Sequence, residues 1–234
     1  MKLLILQLQP EVGLGRYERF LAERGIDRVH AGPGSGASPP DTDAFDAVLV
    51  GGTTGSIREL DRDPVLLETA AYLRRCLDAR KPAFGVCGGG QLLARLLGAP
   101  VTASPRAEAG RAGMRLTAGG RQDPLLAGFP ERFDVVEWHR DRFGLPGGAS
   151  LLVEGDECRE QLVRLGGAVA IQFHLEVVAA DVARWADADP AMLAAAGGTR
   201  EQLVAECAAL ETEMGRLADL LLGNFLKVLV PAGR

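Results

Sequence analysis

Histidine is scarce in this 234-residue sequence, with only His30, His139 and His174, so any imidazole-dependent chemistry must draw on one of the three. Cysteine is almost as sparse. Cys76, Cys87, Cys158 and Cys207 lie far apart, without a C-x-x-C pair or a histidine at metal spacing. A disulfide framework, a zinc knuckle and other metal or cofactor sites are therefore not expected, and a reducing, cytoplasmic compartment is. Long apolar runs are missing too: Leu3 to Leu8 is short and broken by Gln7, with no small-residue cleavage site after it, and Leu220 to Val230 is interrupted by Asn224 and Lys227. Neither suits a signal peptide or the roughly 20 residues of a membrane crossing. Basic charge is not in excess, since 26 Lys and Arg stand against 31 Asp and Glu for a net charge of −5. Nucleic acid and anionic membranes are thus excluded as expected partners, and a small polar ligand is favoured.

What is present is an alternation. Short apolar runs at Leu3 to Leu8, Ala47 to Val50 and Ala83 to Val86 are followed by helical patterns at Tyr17 to Arg24, Pro64 to Ala79 and Gln91 to Leu97. This predicts a parallel sheet covered by helices. After Pro100 the texture becomes hairpin-like, with runs at Arg111 to Thr117, Phe133 to Trp138, Ser150 to Val153, Gln161 to Leu165 and Ala168 to Phe173. The final segment opens with Thr199 and Gln202, the spacing of a capping box, and carries apolar residues three and four apart from Leu203 to Val228. One domain over residues 1–234 is expected, its helical portion 178–234 packed on the sheet rather than on a second copy.

Three glycine-rich segments could carry chemistry. Gly32 to Ala37 runs into Pro39-Pro40 instead of a helix, and Gly51 to Ser56 is followed by Ile57-Arg58 where a phosphate loop would place Lys and Ser or Thr. The third, Gly85-Val86-Cys87-Gly88-Gly89-Gly90-Gln91, takes a strand through a cysteine directly into a helix. That is the pattern of a nucleophile elbow with sulfur in place of oxygen. The helix behind it turns free N–H groups toward the sulfur, which suits a thiolate nucleophile. His174 closes a strand-like run, and Glu176 follows two residues later on the same side of an extended chain, about 6.6 Å away. Cys87, His174 and Glu176 are therefore the candidate catalytic triad, with the carboxylate orienting the imidazole. The backbone N–H groups of Gly88 and of Gly52 or its neighbour are candidate oxyanion donors. His139 is read as pocket wall or local support.

Taken together, Gly51-Gly52, the Cys87 elbow, Glu108-Ala109-Gly110, Trp138 to Asp141 with Leu145-Pro146, and Gln172 to Glu176 resemble the class I glutamine amidotransferases. Within that family the chain is similar to free-standing proteins of the GMP synthase glutaminase type. The resemblance covers most of the chain. It implies an α/β, flavodoxin-like three-layer fold with a mixed, mainly parallel sheet of about seven strands. It also implies attack of Cys87 on the glutamine side-chain amide, a γ-glutamyl thioester, and release of glutamate and of ammonia for an acceptor synthetase in trans. Gln91, Trp138 and Arg140 would hold the substrate. The chain departs from the family pattern with Thr53 in place of a proline, Leu175 between His174 and Glu176, and three successive glycines after Cys87, which predicts a looser, roomier pocket. A stand-alone hydrolase of γ-glutamyl peptides or amides and a non-catalytic glutamine-binding or interaction protein are the alternatives.

Overall fold

The computed structural model describes residues 1–230, so the last four positions of the 178–234 portion lie outside the described residues. Nine strands form one sheet: β1 (Lys2–Leu6), β2 (Asp27–Ala31), β3 (Ala47–Val50), β4 (Ala83–Val86), β5 (Val101–Leu116), β6 (Arg132–Phe143), β7 (Ser150–Gly155), β8 (Glu160–Leu165) and β9 (Ala168–Ile171). Their spatial order is β2-β1-β3-β4-β9-β8-β7-β5-β6. The first five in this order run parallel, and the pairings from β9 to β6 are antiparallel. Two more strands are present than the resemblance implied. One addition is β2, whose half-exposed Asp-Arg-Val-His-Ala sequence lacks the continuous apolar run of a central strand.

The α-helices are α1 (Gly15–Glu23), α2 (Pro64–Asp78), α3 (Gly88–Leu96), α4 (Ala118–Gln122), α5 (Ala179–Ala188), α6 (Pro190–Ala196) and α7 (Arg200–Leu229). Strands β1, β3 and β4 are apolar on both faces because helices cover both. On one face Leu3, Ile5, Leu49 and Phe84 pack with Tyr17 and Phe20 of α1 and Leu221 and Phe225 of α7. On the other, Leu4, Leu6, Val48 and Val50 pack with Leu66 and Leu73 of α2 and Leu92 and Leu93 of α3. This is a three-layer α/β arrangement. Helix α2 starts where Asp63 accepts from the amides of Val65 and Leu66 ahead of Pro64.

Helix α7 lays its apolar face on its own sheet, with Leu203, Cys207, Met214, Leu217 and Leu221 buried, while Val228 has turned out of the stripe. Its cap is half of the predicted box. Thr199 Oγ1 accepts from the Gln202 amide at 3.2 Å, but the Gln202 side chain donates to Glu206 instead of reaching back.

Candidate active site

Strands β4 and β9 are parallel neighbours in register Val86↔Ile171, so both deliver their next residues to one edge of the sheet. Cys87 follows β4, and its amide donates to the Ile171 carbonyl at 2.8 Å. Its backbone sits at φ +50°, ψ −113°, a conformation in which glycine is the ordinary occupant. Helix α3 starts at the next residue. The glycines behind the turn are there for contact, not looseness. A methyl group at Gly89 would stand 2.3 Å from the Val50 carbonyl oxygen, and one at Gly90 2.4 Å from that of Ile171. The three glycines are therefore packed and not loose: the backbone of α3 presses directly on β3 and β9, and all three are buried.

His174 lies just beyond β9, held in extended form by paired backbone hydrogen bonds with Val136 of β6. Extension puts His174 and Glu176 on one side, and Nδ1 and Oε1 meet at 2.6 Å. The second carboxylate oxygen accepts from the Leu175 amide at 3.1 Å. Both side chains are about 4% exposed. With Nδ1 engaged by the carboxylate, Nε2 is left buried and without a hydrogen-bond partner among the described residues. Burial disfavours the imidazolium, but the charge of Glu176 and the interactions with Cys87 outweigh it and hold the His174 pKa well above its ordinary value. Trp185 of α5 packs against the imidazole with ring centroids 4.9 Å apart and touches Trp138 at 5.8 Å.

The Cys87 sulfur lies 3.8 Å from the Trp138 carbonyl oxygen and 3.9 Å from Gln172 Nε2. Gln91, one turn into α3, is buried, and its Nε2 donates to the Asp141 carbonyl at 2.8 Å and to Gln172 Oε1 at 3.3 Å. Gly52 adjoins the elbow, since a methyl there would stand 3.9 Å from Cys87 Cβ, and the amide nitrogen of Thr53 crowds Gly88 in the same way at 2.9 Å. The loop after β3 and the first N–H groups of α3, which have no acceptor within their helix, thus converge beside the sulfur. The loop is anchored to β6 by Asp141, which accepts from the Ser56 hydroxyl and from Arg58 Nε at 2.8 Å.

The sequence-predicted residues divide accordingly. Cys87, His174, Glu176, Gly52, Gly88 and Gln91 gather at the end of β4 and β9, with the Trp138 backbone against the sulfur. Arg140, half-exposed, is engaged at 2.8 Å with Asp189, the residue between α5 and α6. Gln172 stands within the Gln172 to Glu176 segment and Thr53 is the neighbour of Gly52, but sequence reasoning assigned neither a contact with the elbow; the structure puts Gln172 Nε2 3.9 Å from the sulfur and the Thr53 amide against Gly88. Trp185 gave no signal, because only the packing of α5 brings it to His174.

A second cysteine, histidine and glutamate come together nearby: ligand atoms of Glu108, His139 and Cys158 all lie within 4.8 Å of one another. Asp141 stands two residues after His139, yet the carboxylates that reach the ring are Glu137, at 3.0 Å from Nε2, and Glu108, at 3.5 Å. Burial works against a charged His139 ring, and the Glu137 charge prevails and raises its pKa. Burial also pushes the Glu108 carboxyl up to about 7. Cys158 is fully buried, and burial together with Glu137 and Glu108 pushes its thiol far up. It lacks the access and ionisation of a nucleophile.

Residues 35–182 match the family described as glutamine amidotransferase class-I. The glutamine amidotransferase-like protein YfeJ of Salmonella typhimurium is 34% identical over 170 residues, which cover 69% of this chain and 70% of YfeJ. The glutamine-hydrolysing GMP synthase of Thermomicrobium roseum is 36% identical over 102 residues, spanning 43% of this chain but only 19% of that enzyme. In three dimensions the chain is similar to a glutamine amidotransferase of Thermotoga maritima, with a TM-score of 0.86 at 24% identity over 97% of this chain and 98% of the other.

Proposed function

Since the chain belongs to the class I glutamine amidotransferases, we propose that it hydrolyses the side-chain amide of glutamine, with Cys87 as nucleophile, His174 as proton carrier and Glu176 as orienting carboxylate. The Cys87 thiolate adds to the amide carbon, and the His174 imidazolium gives its proton to the departing nitrogen, which leaves as ammonia. A γ-glutamyl thioester remains. Water attacks it while His174 takes up the proton, the sulfur is expelled, and glutamate is released. The N–H groups of Gly88 and of the Gly52-Thr53 loop are the donors for the tetrahedral oxyanion.

The observation that carries this reading is a cysteine at φ +50° beside a buried His-Glu pair from the adjacent strand. A non-glycine residue in so sparsely populated a conformation costs about 1–3 kcal/mol, persists only where the surrounding structure imposes it, and is concentrated at functional sites. The competing set at Cys158 has neither the turn nor the access. Gln91, Trp138 and Arg140 are the candidate substrate contacts. Arg140 would engage substrate only by sharing or leaving Asp189, so its role is the first to test. Four free, buried cysteines, the proposed nucleophile Cys87 among them, suit a reducing compartment such as the cytoplasm. The ammonia acceptor would be a synthetase, a role suggested by the glutamine-hydrolysing GMP synthase relatives.

The γ-glutamyl peptide alternative drew on a loose glycine run, and the close packing at Gly89 and Gly90 removes that support. Incubation of the purified protein with glutamine and with γ-glutamyl amides and peptides, while ammonia, glutamate and free amine are measured, distinguishes the readings. Ammonia and glutamate from glutamine are expected. Amine release confined to the γ-glutamyl compounds would favour the alternative, and binding without turnover would leave only a glutamine-binding protein.

A further inference from the structure

The buried cluster behind Trp138 has no use in the proposed reaction. Glu108 and His139 are direct cross-strand partners on β5 and β6, at the edge of a bulge that interrupts the pairing between Ala103 and Glu108. Glu137, two residues before His139, shares its face of the strand. Cys158 arrives from the turn between β7 and β8. Apart from the 3.0 Å approach of Glu137 Oε2 to His139 Nε2, these groups are short of partners: Glu137 Oε1 and His139 Nδ1 are buried without a hydrogen bond among the described residues, and each side chain is only 1% exposed. Beside Glu108 and Cys158 lies a cavity of about 20 Å³ that His139 does not line, bordered also by Ser104, Glu157 and the arginines Arg106 and Arg142. That is room for one water molecule or one ion.

We propose that Glu108, His139 and Cys158 bind a single divalent metal ion of borderline softness, zinc(II) being the class that a thiolate, an imidazole and a carboxylate suit best. Around an ion with ligand bonds of about 2.0–2.3 Å, neighbouring donor atoms stand roughly 3.3–3.8 Å apart. The His139 Nε2 to Glu108 Oε2 separation of 3.5 Å already meets that spacing, and the 4.8 Å limit on the whole set leaves about an ångström of side-chain closure. Glu137 Oε2, 3.0 Å from the same nitrogen, offers a fourth oxygen. No short motif announces this set, because its members come from three separate segments of the chain. Such an ion would pin the bulged β5–β6 pair to the β7–β8 turn, directly behind the strand whose Trp138 carbonyl touches Cys87. The inference does not rest on the glutaminase reading.

Cobalt(II) is the probe, since a cobalt–thiolate bond gives a charge-transfer band in the near ultraviolet. Titrating the full chain should produce that band, saturate at a single ion per chain, and be reversed by zinc(II). The band should persist in Cys87→Ser and vanish in Cys158→Ser. Glu108→Gln, which keeps the volume, should weaken cobalt binding by about 10-fold or more and does not depend on Cys158→Ser folding. Absence of the band in the parent chain would overturn the proposal and leave a cluster that shares protons or holds a water. So would loss of the band in Cys87→Ser with retention in Cys158→Ser, or unchanged affinity in Glu108→Gln.

Discussion

Glu176 Oε1 meets His174 Nδ1 at 2.6 Å in a buried pocket that disfavours charge, and the charge of Glu176 is the largest of the influences that, together with those of Cys87, hold the imidazole pKa above its ordinary value. Glu176→Gln removes the negative charge and leaves the desolvation in place, so the His174 pKa falls. If the imidazolium is the acid that releases ammonia, the alkaline limb of kcat/KM must move to lower pH. The rate itself should drop less than in His174→Ala, because the carboxylate orients the base without accepting its proton. A pH profile of the two variants checks both statements. An unmoved alkaline limb would take Glu176 out of the site.

The same shift bears on stability. His174 titrates near 6.5 when unfolded and well above that when folded, so the native state binds the proton more tightly. Its stabilising contribution is present in full below pH 6.5 and is lost as pH rises through the folded-state value. The denaturant midpoint of the parent should decline over that alkaline range, and His174→Gln should flatten the decline. Urea unfolding at a series of pH values measures it.

At Cys87 chemistry and stability should separate. Cys87→Ser keeps the shape of the side chain and should reduce turnover by about 1,000-fold or more while the fold is retained. Cys87→Gly should be equally inactive yet as stable as the parent or more so, by up to about 1 kcal/mol, because glycine adopts φ +50° without the strain that cysteine bears. Hydrolysis by Cys87→Ser at the parental rate would dismiss the sulfur as nucleophile. A Cys87→Gly variant clearly less stable than the parent would show that the turn stores no strain.

Close packing behind the elbow is tested one glycine at a time. Gly89→Ala puts a methyl 2.3 Å from the Val50 carbonyl oxygen and 2.6 Å from that of Gly51, both main-chain atoms of a central strand and its continuation. A loss of about 2–3 kcal/mol or more is expected. Gly147→Ala, where nothing lies within 4 Å, is the control and should be neutral or slightly stabilising. Equal thermal stability of the two variants would contradict the packing described here.

The parts of the molecule that were legible beforehand share a physical reason. Strands β3 and β4 are buried on both faces, so their apolar runs are continuous and their ends stand out, and both were bounded in the sequence as they occur in the fold. The turn at Cys87 and the pairing of His174 with Glu176 could be read because each depends on immediate neighbours, a strand-to-helix turn in one case and a two-residue repeat in the other. The spacing of Thr199 and Gln202 misled in part, since an exposed glutamine side chain finds Glu206 one turn on as readily as its own cap. Edge strand β2, the Arg140 and Asp189 pair and the cluster around His139 join residues distant in sequence, and no local pattern announces them. The three glycines illustrate the same limit from the other side: their composition suggested freedom, and only the strands stacked against them show contact.

Trp185 offers the sharpest of these non-local tests, because it acts on the imidazole through packing where Glu176 acts through charge. Its ring covers His174 at 4.9 Å and helps keep water from it. Trp185→Ala should lower stability by about 1–3 kcal/mol through lost packing against His174 and Trp138. It should also rehydrate the imidazole and relieve the desolvation that opposes its charge, so the His174 pKa rises further and the alkaline limb of kcat/KM moves to higher pH. That is the reverse of the shift expected for Glu176→Gln. A looser imidazole should reduce kcat by roughly 10-fold with a smaller change in KM, and Trp185→Phe should restore most of it. If both limbs move the same way in Trp185→Ala and Glu176→Gln, the ring is acting on something other than the charge of His174.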